Sequence, residues 1–285
     1  MTLIVINGKG EATMKLGFNG ATTMKASLLE DAIASSKAGF DYLELRDNKL
    51  EDLLKTMNLE EINHSFQELH IQPIAMNSLE KATLRDETGF EGIIKRADVL
   101  CQYSSALHCP ILIAVPSFLE NSRPTKKEIK ENAQMVLKKL EELSRPYGVK
   151  IAFEFLGFAD ASVNTLSFCN EIVEELNNDR IGMIIDTFHF YLSDEPLSVI
   201  EKINPEKIFL VHIADAENLP KTQLKDANRE MPGNGVIPLK DITQKLKDIG
   251  YKGAYSIELF NPTYWEWEPE QVAKLCYQKM WELLS

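Results

Sequence analysis

Four apolar stretches of the chain are each broken by a single residue that could bind a metal or carry a proton. Glu154 lies between Phe153 and Phe155, Asp186 follows Ile184 and Ile185, His212 lies between Val211 and Ile213, and Glu258 between Ile257 and Leu259. An ionised carboxylate left in a dry interior costs several kcal/mol even after relaxation, so three of them call for a strong compensating charge. A divalent cation is the simplest one, and three oxygen donors with one imidazole suit it while leaving room for substrate oxygens or water. Taken singly, a carboxylate at a strand end is more often an ion-pair or helix-cap partner, and a lone histidine a packed one. The metal expectation rests on the set.

Positioning these residues needs elements that end side by side. Short β-rich runs at 15–19, 41–46, 73–77, 111–116, 150–156, 181–186, 207–215 and 254–260 alternate with segments of helical period, which is the pattern of repeated βα units. Ser27 with Glu30 and Thr125 with Glu128 form capping boxes, the first leading Leu29, Ala32, Ile33 and Ser36 onto one helix face and the second Ile129, Ala133, Val136, Leu137 and Leu140. Further helices are expected at 59–69, 92–107, 165–176, 197–203, 239–249 and 269–284. Eight such units predict an α/β fold, a parallel (β/α)8 TIM barrel, over residues 14–285. An open doubly wound sheet is disfavoured because Asn19, Gly20 and Ala21 make no Gly-rich phosphate turn after the first strand. In the barrel the quartet occupies adjacent strands five to eight near their C-terminal ends, where active sites are built. The longest irregular segment, 216–238, falls on that same face, and loops of this length are usually functional. Residues 1–13 are expected to be an extension outside the core fold.

The chain has 285 residues, 44% of them hydrophobic, enough for one barrel of about 250 residues. With 31 basic against 43 acidic residues, the net charge of −12 has the wrong sign for gathering nucleic-acid phosphates. Cys101, Cys109, Cys169 and Cys276 are scattered without a C-x-x-C pair and read as reduced thiols, in keeping with a cytoplasmic location. The apolar run from Leu3 to Ile6 is too short for a signal sequence, and no stretch reaches membrane-spanning length. Small-molecule partners are favoured, with no nucleic acid and no membrane; a homo-oligomer is left open.

The segments 151–157, 185–189, 211–215 and 255–260, which hold the quartet, resemble the xylose-isomerase-like sugar phosphate isomerase and epimerase superfamily, and within it the inosose isomerases of inositol catabolism. The resemblance also takes in 14–19, 41–46, Val163 to Thr165 and the loop from Arg229 to Gly235, nearly the whole chain after residue 13. It implies that Glu154, Asp186, His212 and Glu258 bind one metal, typically manganese, cobalt, zinc or magnesium, and that His189 and Arg229 contact substrate.

Removing a proton next to a ketone gives a strongly basic enediolate, and a Lewis-acid metal is the expected stabiliser of that charge. Glu154 and Glu258 are the natural proton-transfer pair. Return of the proton to the adjacent carbon moves the keto group of an inosose or related keto-sugar, whereas return to the opposite face of the same carbon epimerises it. The alternatives on this scaffold are a ketose 3-epimerase and a keto-polyol dehydratase. Those of other classes are an abasic-site endonuclease, disfavoured by the acidic charge and by Asn77 and Pro116 where extra histidines would stand, and a non-catalytic sugar-binding protein. Tyr264, Trp265 and Trp267 could cover the pocket or pack a loop. His64, His70 and His108 fall on or beside helices, away from the chemistry.

Overall fold

The computed structural model describes residues 15–119 and 123–285, so the expected extension at 1–13 lies outside the described residues. Eight strands close into an all-parallel barrel: β1 (Leu16–Asn19), β2 (Tyr42–Arg46), β3 (Gln72–Leu79), β4 (Ile111–Ala114), β5 (Lys150–Glu154), β6 (Ile181–Asp186), β7 (Ile208–Ile213) and β10 (Tyr255–Ile257). They neighbour one another in chain order, with β10 closing on β1. The long segment after β7 carries a separate antiparallel pair, β8 (Asp215–Ala216) and β9 (Arg229–Glu230).

The period-two alternation of strands sorts each side chain into the barrel lumen or the helix layer. Leu43, Leu45, Ile151, Phe153, Met183, Ile185, Val211 and Ile213 pack outward against the helices. The residues between them point inward, where Ile74, Ile111, Ile113, Ala152, Ile184 and Leu210 fill the lower lumen. One step further along, the inward positions become Asn19, Glu44, Arg46, Asn77, Glu154, Asp186, His212 and Glu258, a polar layer at the C-terminal ends.

Both expected capping boxes are present, and a third, Asn58 with Glu61, starts α3 (Leu59–Glu68). The long helices α4 (Glu87–Ala106), α5 (Lys126–Ser144), α6 (Leu166–Leu176), α8 (Leu239–Asp248) and α9 (Pro269–Leu284) follow the periodic segments. Three expectations need correction. α4 starts five residues before the expected 92, because Asp86 caps it by accepting from the Gly89 amide, and the two early glycines do not break it. The helix expected at 197–203 is a 3-10 helix, Leu197–Lys202. In α1 (Leu28–Ala38) the buried face is Leu28, Asp31, Ala32 and Ser35, one position from the one expected. Two short helices, α2 (Asp47–Leu53) and α7 (Thr187–Leu192), start directly at strand ends and have too few residues to show a period.

Asp31 is drawn inside by Lys49 of α2. The ammonium donates to Asp31 at 2.6 Å and to the Gly20 and Thr23 carbonyls at 2.8 Å, and Thr23 donates to the other Asp31 oxygen at 2.7 Å. Burial pushes Asp31 up to about 7 and Lys49 down, so each is charged only through the other. The pair staples the turn after β1, and with it Asn19, to the helix layer. Breaking a buried pair from one side leaves an unpaired charge, at a cost of about 3–5 kcal/mol. Lys49→Met is therefore expected to lower the stability by that amount in urea unfolding, and Asp31→Leu added to it is expected to recover much of the loss; equal stability of Lys49→Met and wild type contradicts this.

Candidate metal and active site

Each quartet residue sits at the end of its strand: Glu154 and Asp186 are the last residues of β5 and β6, His212 is next to last in β7, and Glu258 follows β10. In the sheet register His212 faces Asp186 on one side and Ser256 on the other. All four are buried, and one ligand atom from each lies within 4.8 Å of the others. His212 Nδ1 is 2.8 Å from Glu154 Oε1, 3.2 Å from Glu258 Oε2 and 3.8 Å from Asp186 Oδ2. Three carboxylate oxygens and one imidazole nitrogen thus face a common point, the donor set that a divalent ion of intermediate hardness takes.

The second ring nitrogen of His212 is 3.1 Å from Glu44 Oε2, and Ser256 Oγ donates to the other oxygen of Glu44. Glu44 is fully buried on β2. Such a carboxylate fixes the ring orientation and keeps the proton on Nε2, which leaves Nδ1 to the metal. Sequence reasoning passed over Glu44, although it stands between Leu43 and Leu45 in the same way that His212 stands between Val211 and Ile213.

Glu258 is held from several sides. Asn19 and Asn77 each donate to its Oε1 at 3.0 Å, and Asn19 is itself fixed by accepting from the Ala21 amide. Thr22 bonds the Ile257 carbonyl and the Leu259 amide on either side of it. Arg229 Nη1 lies 3.5 Å from its Oε2. Burial would raise the Glu258 pKa, but the His212 imidazolium and the Arg229 and Arg46 guanidinia hold it well below the usual carboxylate range. Among the described residues Glu154 has His212 as its one hydrogen-bonding neighbour, through Oε1, and burial pushes it up to about 8. Burial alone would lower His212; Glu258, Glu44 and Glu154 overturn that and hold it well above its ordinary value.

Asp186 combines two roles. Its Oδ1 accepts from the His189 amide as the cap of α7, and its Oδ2 accepts from Arg229 Nη1 at 2.6 Å. His189 is buried on α7. Arg229 Nη2 points at His189 Nε2 across 3.2 Å, and because a guanidinium only donates, Nε2 accepts and the ring proton sits on Nδ1. Among the described residues that Nδ1, which is buried, has no hydrogen-bond partner. Burial lowers the His189 pKa, so the neutral form presents this donor.

Arg229 enters from β9, the middle of the expected functional loop. Asp215 clamps the loop by accepting from the Gly233, Gly235 and Ile237 amides at 3.0, 3.0 and 2.8 Å. A Cβ on Gly235 would sit 2.1 Å from the Ala216 carbonyl, so the glycine serves close backbone approach. Asn261 donates to the Arg229 carbonyl at 2.8 Å.

Above the quartet lies a cavity of about 190 Å³ whose wall includes Arg46, Asn77, Glu154, His189, Arg229 and Glu258. Its aromatic wall is Phe118, Phe158 and Phe260. Tyr264, Trp265 and Trp267 do not reach it: Tyr264 donates to Glu230, Trp265 donates to the Ala21 carbonyl, and Trp267 packs edge-on against Tyr264. Those three secure the loop after β10 instead. His70 and His108 line a larger cavity formed by the starts of the strands, and His64 neighbours Glu68 on α3.

The family model described as xylose isomerase-like TIM barrel matches residues 33–276. The chain belongs to this family. It is 40% identical over 274 residues to the inosose isomerase of Halalkalibacterium halodurans, covering 95% of this chain and 97% of that one. It is 36% identical to the inosose isomerase of Bacillus subtilis, over 95% of this chain and 98% of the relative. Among solved structures, the IOLI protein with a binding zinc atom superposes with a TM-score of 0.93 at 35% identity, over 95% of this chain and 98% of that one. The family therefore agrees with the resemblance carried by the quartet segments.

Two measurements test the site. In the metal-free site His212 and Glu154 both hold protons to higher pH than usual, and a metal needs His212 Nδ1 free and Glu154 ionised. Zinc affinity, read by chelator competition, is expected to rise with pH by about tenfold per unit for each proton displaced, with proton release seen calorimetrically; an affinity independent of pH contradicts the assignment. Glu44→Gln removes the charge behind His212 Nε2 and is expected to weaken zinc binding by about 10–100-fold with the fold intact by circular dichroism.

Proposed function

We propose that the chain is a divalent-metal-dependent isomerase that shifts the keto group of an inosose by proton transfer between neighbouring carbons. The convergence of Glu154, Asp186, His212 and Glu258 on one point beneath a small cavity carries this reading. Relatives named inosose isomerase over nearly their whole length, and a zinc-bearing structural neighbour, support it. The quartet holds one metal ion, with zinc, manganese, cobalt and magnesium as the candidates. Such an ion supplies the Lewis acidity that stabilises negative charge developing on a substrate oxygen.

The protein's own groups divide the remaining work. Glu258 accepts from two amides and faces two cations, which fixes its orientation and its charge. Glu154 lines the cavity and, among the described residues, is hydrogen-bonded through Oε1 only, so its other oxygen is the one suited to take a proton from carbon and return it. Glu258 is its partner in this reading. The Nδ1–H of His189 donates to a substrate oxygen, and Arg229 holds both His189 and Asp186 in place. The phenylalanine wall takes the C–H faces of the ring and keeps water from the proton in transit.

The substrate is a small keto-polyol. The acidic net charge gives nucleic acid no electrostatic footing, and among the described residues no helix is long and apolar enough to cross a membrane. A cytoplasmic enzyme of carbohydrate catabolism fits these properties. Metal-loaded protein in deuterated water is expected to place deuterium on carbons next to the carbonyl of 2-keto-myo-inositol and to form its keto isomer, both followed by NMR. Glu154→Gln is expected to slow both by about 10²–10⁴-fold. Absence of exchange and product across a panel of inososes and ketoses, with Glu154→Gln behaving as wild type, refutes the proposal; a product inverted at the same carbon assigns an epimerase instead.

A further inference from the structure

Arg46 ends β2 on the inward face, two residues beyond Glu44. Its Nη1 donates to Asn77 Oδ1 at 2.6 Å, and the same Asn77 donates to Glu258, so the guanidinium is oriented from the metal-facing carboxylate outward. Among the described residues its Nε, which is buried, has no hydrogen-bond partner, and no carboxylate pairs with Arg46. Arg229 is the contrast: its three nitrogens engage Asp186, Asp226 and His189. Both guanidinia lie 5.6 Å from the Phe260 ring centroid, and both line the cavity above the quartet.

A guanidinium has five N–H donors, and leaving a buried one unpaired costs more than a formed hydrogen bond returns. The cavity is the place from which an acceptor can come. We propose that Arg46 is a substrate-binding residue, donating to a hydroxyl or carbonyl oxygen of a neutral polyhydroxylated ring on the β2 side of the cavity. The inference rests on the isomerase reading for the identity of the ring. The substrate is then held at two separated points, by Arg46 on one side and by His189 on the other, with Glu154 and Glu258 beneath it. A neutral oxygen is the acceptor because Glu80, Glu154, Asp226 and Glu258 share the cavity wall, and they oppose a phosphate dianion.

The test uses the full chain loaded with zinc, in wild type, Arg46→Gln and Arg46→Lys. Affinity for myo-inositol, which has no ketone and cannot react, is measured by calorimetry beside the KM and kcat for 2-keto-myo-inositol. A charge-assisted hydrogen bond lost in Arg46→Gln is expected to raise both the myo-inositol Kd and the KM by about 10–100-fold, with a smaller change in kcat and with zinc still bound. Arg46→Lys keeps the charge but loses the planar fork and is expected to fall between the two; it decides the matter if Arg46→Gln does not fold. Unchanged polyol affinity and KM in either folded variant, or a loss that follows loss of zinc, overturns the inference. So does inorganic phosphate competing with myo-inositol in wild type and not in Arg46→Gln, which assigns Arg46 to an anion. Wild type that binds myo-inositol but turns over no keto-sugar defeats the isomerase reading alone, and the polyol affinities then still decide the role of Arg46. Wild type that binds no polyol defeats the inference.

Discussion

The structure is organised around the electrostatics of His212. Glu154, Asp186 and Glu258 crowd one ring nitrogen, Glu44 holds the other, and all are shut away from water. So much negative charge in a dry layer is tolerable only with positive charge at its centre. Without a metal the imidazole takes that part as an imidazolium, and Arg229 and Arg46 balance it from the rim. A divalent ion held by the quartet would stand in place of the Nδ1 proton and supply positive charge there. The crowding that makes the site costly to build is therefore what makes it receptive to a metal.

Barrel geometry turns this requirement into a single layer. Period-two alternation assigns Glu44, Glu154, Asp186 and His212 to the lumen because their flanking apolar residues must face the helices. The in-register pairing of Asp186 with His212 and of His212 with Ser256 then sets neighbouring strands level with each other. A slip of one residue in β6 or β7 would turn Asp186 or His212 into the helix layer. Loops supply what the strands cannot: Arg229 arrives from β9 only because Asp215 gathers three amides of its own loop and Gly235 lets the backbone close on Ala216.

This division explains what could be read in advance. The eight strands, the long helices and the quartet were legible because apolar periodicity is a local signal and a charge inside it is a local anomaly. Glu44 carried the same anomaly but had no assigned partner until the barrel closed β2 near β7. Arg46 and Asn77 are polar residues at strand ends, where sequence gives no cue to inward or outward. The face of α1 was displaced by one position because Asp31 is buried by Lys49, a partner on another helix. Short α2 and α7 are fixed by where their strands stop, not by periodicity, and Asp186 caps α7 while also facing the metal point.

The two glutamates of the quartet occupy matching positions but unequal surroundings, and the inequality comes from β1, β2, β3 and β9 rather than from the strands that carry them. Asn19 and Asn77 donate to one oxygen of Glu258 and the Arg229 and Arg46 guanidinia face it, while among the described residues Glu154 has only His212; both glutamates line the same cavity. Hydrogen bonds to a carboxylate favour its charged form, and desolvation favours the neutral one. Two residues of one chemical type are thus driven in opposite directions, one toward a fixed anion and the other toward a group that can carry a proton. In the proposed reaction, reversible transfer between adjacent carbons needs a carrier that can take and release a proton, and Glu154, the glutamate with fewer partners holding its charge, is the one whose surroundings suit it.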